Sequence, residues 1–129
     1  KRYYVVGTIS QKAANAIESD TVFVKFSIDN LVKNMLEHPE ITINEYLKLS
    51  FYLKNAEYIL KKNNKNLIYF KIHNKIYQFV IKTTKAKDEI FITTFHMASI
   101  KQLTKDIYRY FPIKKDSFNY EDSKYPSVT

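Results

Sequence analysis

Apolar positions recur along this chain in two rhythms, and the change of rhythm falls near its middle. The first half alternates short β-prone runs with helical spacing. Tyr3 to Thr8 is β-prone, with Gly7 near its end. Ser10 is placed to cap a brief helix through Ile17, with Ala13, Ala14 and Ile17 on one face. Val22 to Phe26 alternates as a strand does. Ser27 then reads as the N-cap of the clearest helix, in which Ile28, Leu31, Val32, Met35 and Leu36 follow the i, i+3, i+4, i+7, i+8 spacing of a buried face. Pro39 disfavours helical geometry at His38, so this helix is expected to end near Glu37.

Thr42-Ile43-Asn44-Glu45 has the form of a capping box and predicts a second helix through about Leu53. Strand patterns take over from there: Tyr58–Lys61, Leu67–Ile72, Lys75–Thr83 and, after the loop 84–88, Ile90–Phe95. His73-Asn74 suits a tight hairpin turn, because asparagine tolerates positive φ. Ser99 caps a last helix through Tyr108. The chain after Phe111 loses all periodicity, so residues 112–129 read as an irregular tail to a single domain over residues 1–111. Helices followed by an antiparallel meander make an α+β fold, with N-terminal helices packed on an antiparallel sheet of about four strands.

Charge sharpens this picture. Residues 54–87 hold nine lysines against the single acid Glu57, whereas the flanking segments are each balanced at six basic and six acidic residues. The net charge of +8 is therefore the excess of residues 54–87 alone, most of the meander. Codon bias in an AT-rich genome accounts for some of the lysine content but not for its confinement. A basic sheet is a counter-surface for a polyphosphate backbone, and RNA or DNA is the implied partner. Two arginines in the whole chain argue for contacts to phosphate as point charges over bidentate reading of bases. No apolar run approaches the roughly 20 residues of a membrane span, and no signal-peptide pattern opens the sequence. The first residue is Lys1 and not methionine, which fits a domain cut from a longer polypeptide.

One glycine excludes phosphate-cradling loops and dinucleotide folds, and zero cysteines exclude thiolate zinc sites and disulfides. There is no His-Glu-x-x-His pattern and no nucleophile elbow, so neither a metal nor an organic cofactor is called for. The remaining inventory is His38, His96, several lysines and the hydroxyls of Thr93, Thr94 and Ser99. It suits metal-independent RNA cleavage, in which the 2′-OH attacks its own phosphate. Such an enzyme needs a base, an acid and groups that stabilise the phosphorane. Imidazole serves the first two roles near neutral pH. Each position also has a structural role open to it. His38 follows a helix C-terminus, where imidazolium satisfies free carbonyls. His96 ends a strand on the face of Thr94, Ile92 and Ile90 if that strand stays regular, His73 sits in a turn, and Lys33 is a solvated helix lysine. Lys71 and Lys82 interrupt apolar strands as ordinary surface lysines or as phosphate contacts. Tyr69 or Tyr77, if exposed, would stack a base.

The series Ser27-x-Asp29-x-Leu31-x-Lys33, His38-Pro39-Glu40-Ile41, Tyr46 and Thr93-Thr94-Phe95-His96 resembles phage-associated nuclease domains of the barnase–EndoU–colicin–RelE-like superfamily. The likeness runs over about residues 5–108. It implies helices packed on a four-stranded antiparallel sheet and metal-independent endoribonuclease activity yielding a 2′,3′-cyclic phosphate. It supports His38, Lys33 and the Thr93–His96 strand end as catalytic positions, with Ser27 and Tyr46 beside Lys71 and Lys82 as RNA-binding positions. The expected substrate is cytoplasmic RNA, with tRNA among the candidates, attacked by a toxin-like domain delivered within a larger phage or toxin polypeptide. Two other readings stand beside it. One is a non-catalytic nucleic-acid-binding module. The other is a protein-interaction domain of an effector–immunity pair, facing an acidic immunity or antitoxin protein.

Overall fold

A computed structural model describes residues 2–113, and residues 114–129, most of the expected irregular tail, lie outside the described residues. The chain runs β1 (Tyr3–Thr8), α1 (Gln11–Ala16), β2 (Phe23–Ser27), α2 (Ile28–Glu37), α3 (Ile43–Leu47) and α4 (Leu49–Lys54). It continues through β3 (Tyr58–Lys61), β4 (Asn66–His73), β5 (Lys75–Thr83), β6 (Ile90–Ala98), α5 (Ile100–Arg109) and β7 (Phe111–Pro112). The α+β class is as expected, but the sheet is larger and mixed. Its order is β1-β2-β6-β5-β4-β3-β7, seven strands in place of four. The expected meander is the four strands β3 to β6, each antiparallel to the next. β2 adds to it in parallel through Val24–Ile90 and Lys25–Phe91, and β1 pairs antiparallel with β2. β7 extends the other edge beside β3, where Pro112 fits because an edge strand can spare a donor. Nothing local in the sequence announces a pairing across 66 residues, so the short flanking strands were not attributable to this sheet.

Local rules account for most of the element ends. Ser10, Ser27 and Ser99 each accept a backbone N–H from the third residue on, and Thr42 with Glu45 closes a complete capping box. Asn74 adopts φ 66°, as the tight turn between β4 and β5 requires. The second predicted helix is broken at Lys48 into α3 and α4.

Strand alternation sorts the core into two layers. On one face, Val24, Phe26, Tyr69, Tyr77, Phe79, Ile81, Ile90, Ile92 and Phe95 pack with Ala13, Ala14 and Ile17 of α1 and with Leu49, Tyr52 and Leu53 of α4. On the other, Leu60, Ile68 and Phe70 pack with Leu103 of α5. β4 is buried from Leu67 through Lys71 because it is covered on both sides, which is why its apolar run is unbroken. Tyr69 and Tyr77 are thus core residues and not stacking platforms. Gly7 is where β1 meets α4: a Cβ there would lie 2.8 Å from Leu53 Cδ1 and 3.1 Å from Ser50 Cα.

The helix α2 departs from its expected packing. Val32 and Leu36 are 50% and 78% exposed, Ile28, Leu31 and Met35 are half-buried, and its buried residue is the polar Asn34. The cause lies in the sheet. β2 accompanies β6 only as far as Phe91, and beyond that point α2 takes the place of a strand along the edge of β6. Asn30 Nδ2 donates to the carbonyls of Ile92 (3.1 Å) and Thr93 (3.3 Å). Asn34 Nδ2 donates to Phe95 O at 2.8 Å, and Asn34 Oδ1 accepts the Phe95 N–H at 3.0 Å. The spacing works because four helical residues advance about 6 Å and two strand residues about 6.6 Å. The next position in this helical row is His38.

Asn34→Ala would leave both backbone groups of Phe95 without these partners. A loss of about 2–4 kcal/mol is expected, measured as a lowered urea midpoint. Val32→Ser, on the exposed side of the same helix, should stay within about 0.5 kcal/mol.

Candidate active site at the edge of β6

Two imidazoles come together where α2 ends beside β6. The rings of His38 and His96 stack with centroids 5.1 Å apart and planes 26° from parallel, and both residues are half-buried. His38 is the C-cap residue of α2, its N–H bonded to Asn34 O, and so continues the row Asn30, Asn34. His96 reaches the same point through an irregularity in β6. Val80 faces Thr94 but Ile81 faces Ile92, so Thr93 is an extra residue, a β-bulge. Before the bulge Ile90 and Ile92 point into the main core. After it Phe95 does, while Thr94 and His96 turn to the opposite face, opposite Val80 and Gln78. The expected sharing of one face by His96, Thr94, Ile92 and Ile90 therefore fails, because the strand is not regular.

Each ring has a partner at Nδ1. His96 Nδ1 lies 2.9 Å from Met97 O, and a carbonyl only accepts, so Nδ1 carries a proton and Nε2 is the basic nitrogen of the neutral ring. His38 Nδ1 lies 3.4 Å from Glu40 Oε2, which assigns its ring the same orientation and gives its protonated form a counter-charge. Gln78, the cross-strand partner of His96, donates through Nε2 to the buried Asp106 of α5 (3.4 Å), which also accepts from Gln102 Nε2 (2.9 Å).

The other expected site residues are distributed less tightly. Thr94 shares the His96 face, whereas the Thr93 hydroxyl donates to Val80 O at 3.3 Å. Lys33 is exposed and five residues before His38, a separation that places it about 140° away around α2. The helix does not aim it at the imidazole pair. The Ser27 hydroxyl is engaged in capping Asn30 N. Tyr46 supports Asn34, accepting from its Nδ2 at 2.8 Å, with its ring edge-on to Phe95 at 5.4 Å. Burial raises the Tyr46 phenol above its ordinary pKa. Lys71 and Lys82 lie on opposite faces of the sheet. Lys82 is exposed, but Lys71 is buried, its ammonium 3.1 Å from Glu57 Oε2, so it is not a contact on an open face. His73 is exposed beside the rings of Phe51 and Tyr52. Sequence reasoning missed Asn30 and Asn34, although their i, i+4 spacing with His38 was the available signal.

The floor beneath this edge is fixed by a second polar device. Tyr77 donates to Glu45, the acid of the capping box, whose other oxygen accepts Thr42 N at 2.6 Å. Burial pushes the Glu45 carboxyl up, but the bonds from Tyr77 and Thr42 outweigh it and hold the group below its ordinary range. Burial, then the adjacent Glu45, drives the Tyr77 phenol well above its ordinary value. A depressed carboxyl contributes stability in full above its unfolded pKa of about 4.3 and loses it as pH falls through the lower folded value. Glu45→Gln should therefore flatten the acid limb of a stability–pH curve. Glu45→Ala should cost about 2–3 kcal/mol at pH 7, seen in thermal or urea melts, as the cap is lost and Tyr77 is left unpaired.

Among the described residues no His, Asp and Glu cluster of three or more is arranged to hold a metal ion, and no helix is long and apolar enough to cross a membrane. A mainly apolar groove of about 400 Å³, lined by Phe26, Leu31, Met35, Leu47 and their neighbours, lies between β1, α2, α3 and α4, apart from the imidazoles. No family model matches this chain, and no curated protein or solved structure does.

Proposed function

We propose that this domain is a metal-independent endoribonuclease of the barnase–EndoU–colicin–RelE-like kind, cleaving RNA by attack of a 2′-OH on the adjacent phosphate. The observation that carries this reading is the stacked pair His38–His96, whose Nδ1 atoms are both occupied and whose Nε2 atoms are left for proton transfer. His96 Nε2 takes the 2′-OH proton as the attacking oxygen forms its bond to phosphorus. His38, protonated and facing Glu40, gives its proton to the departing 5′-oxygen. The products are a 2′,3′-cyclic phosphate and a 5′-hydroxyl, with no net change in protons. The Thr94 hydroxyl, on the His96 face, is the nearest expected donor to the phosphorane along β6.

The basic segment supplies the attraction. Lys65 and Lys85, both exposed, stand in neighbouring turns tied together by the bond from Thr83 N to Lys65 O. RNA, with tRNA among the candidate substrates, is the partner this surface suits, and a toxin-like domain acting in the cytoplasm is the setting in which an acidic immunity protein would also meet it.

Incubation with total RNA or tRNA in excess EDTA should yield fragments ending in 2′,3′-cyclic phosphates. Each acid–base partner typically contributes about 10²–10⁴ in rate. His38→Ala and His96→Ala should therefore each nearly abolish cleavage, whereas His73→Ala should not. Full activity in the His38 variant would reject the mechanism. Affinity should fall steeply with salt, and charge reversal of Lys65 with Lys85 should weaken binding more than reversal of Lys12 with Lys48.

A further inference from the structure

A row of side chains crosses the half of the sheet that α5 leaves uncovered. Cross-strand partners follow one another from Asn66 on β4 to Lys82 on β5, Phe91 on β6, Lys25 on β2 and Val5 on β1. Partners across a ladder point to one side, and here that side is opposite the main core, which takes Val24, Phe26, Ile81, Ile90 and Ile92. Tyr3 joins the row: its ring meets Phe91 edge-on at 6.4 Å, and Lys25 Nζ sits 4.2 Å from its centroid. Lys25 is held there by Glu89 at 3.0 Å, and that bond raises its pKa, so it stays charged. Glu89 offsets one cation of the row, and the exposed Lys82 keeps its balance positive. Tyr3 and Phe23, on the same face, are 42% and 54% exposed.

Aromatic rings open to solvent between lysines are the chemistry that takes unpaired bases, with π-faces for stacking and ammonium groups for phosphate. A duplex hides its base faces and offers such rings nothing. We infer that the strip Tyr3–Lys25–Phe91–Lys82 is a stacking subsite for single-stranded RNA. The inference rests on the ribonuclease reading for the identity of the chain it holds. From Phe91 to His96, β6 covers about 16 Å at roughly 3.3 Å per residue, on the face that carries Thr94. A strand whose bases stack at Tyr3 and Phe91 thus reaches the imidazole pair a few nucleotides further on. The strip anchors RNA, and the imidazoles cut it.

The test uses a 2′-O-methyl oligonucleotide containing 2-aminopurine, which lacks the attacking hydroxyl and stays intact, together with the duplex of the same sequence. Wild-type protein should quench the single strand and bind it more tightly than the duplex. Tyr3→Ala and Phe91→Leu should each weaken single-strand binding, by about tenfold for Tyr3→Ala, with the quench reduced and the duplex little affected. Lys82→Gln should lower the salt slope by about one without removing the quench. Thermal melts identify any variant that fails to fold, and Tyr3, on an edge strand, is the safeguard for Phe91. Unchanged affinity in a folded Tyr3 variant would overturn the inference, as would equal losses for strand and duplex, or binding only to an acidic protein. Failure of the two readings is separable. RNA cleavage with an unaltered Tyr3 variant rejects the strip alone, whereas quenching of the strand without cleavage of any RNA rejects the ribonuclease and leaves the strip standing.

Discussion

The amide of Asn34 bonds to both the N–H and the C=O of Phe95, and much of the molecule is arranged around that contact. A strand whose neighbour stops after Phe91 would otherwise show bare backbone along its edge. Backbone polar groups in a buried position must be paired, and here a helix does the pairing with side chains. The choice has consequences in both directions along the chain. It fixes the rotation of α2, turning Val32 and Leu36 to solvent, and it fixes where α2 ends relative to β6. Tyr46 bonds to the same amide and packs on Phe95, so α3 is brought into register with the helix and the strand together.

The bulge at Thr93 is the counterpart of this contact on the strand side. Were the strand regular there, without the bulge, His96 would point into the main core with Ile90 and Ile92, and a polar ring there would lack partners. With it, the imidazole emerges beside the end of α2. The stacked pair is thus the product of two displacements, one helical and one in the strand, that meet at a single place. Below it, the capping box and Tyr77 tie α3 to β5, so the floor is held by hydrogen bonds with a buried carboxylate at their centre.

What could be read in the residues was what depends on neighbours close in sequence. The caps at Ser10, Ser27, Thr42 and Ser99, the turn at Asn74 and the strand character of β3, β4 and β5 all follow from local chemistry. The parallel pairing of β2 with β6 depends on a contact that no short window contains. The face of α2 was misjudged for a related reason: apolar periodicity marks where a helix would prefer to bury, but the demand of an unpaired strand edge won, and it recruited asparagine. Lys71 was read as a surface cation because its partner, Glu57, lies 14 residues earlier on the approach to β3. For the candidate site, the convergence of His38 with His96 was expected from residue chemistry and resemblance, while the bulge that makes it geometrically feasible left no mark that periodicity could detect.

Replacing a strand by a helix along β6 also links two kinds of failure. The bonds holding α2 there come from two asparagine side chains, far fewer than a full ladder would make, so this seam is a natural place for the fold to open locally. Opening would separate the imidazoles and, in the same motion, bare the Ile92–Phe95 backbone as a strand edge able to pair with another chain. Loss of the site and onset of self-association would then share one precursor, and any ligand that bridges His38 and His96 would act as a guard against aggregation.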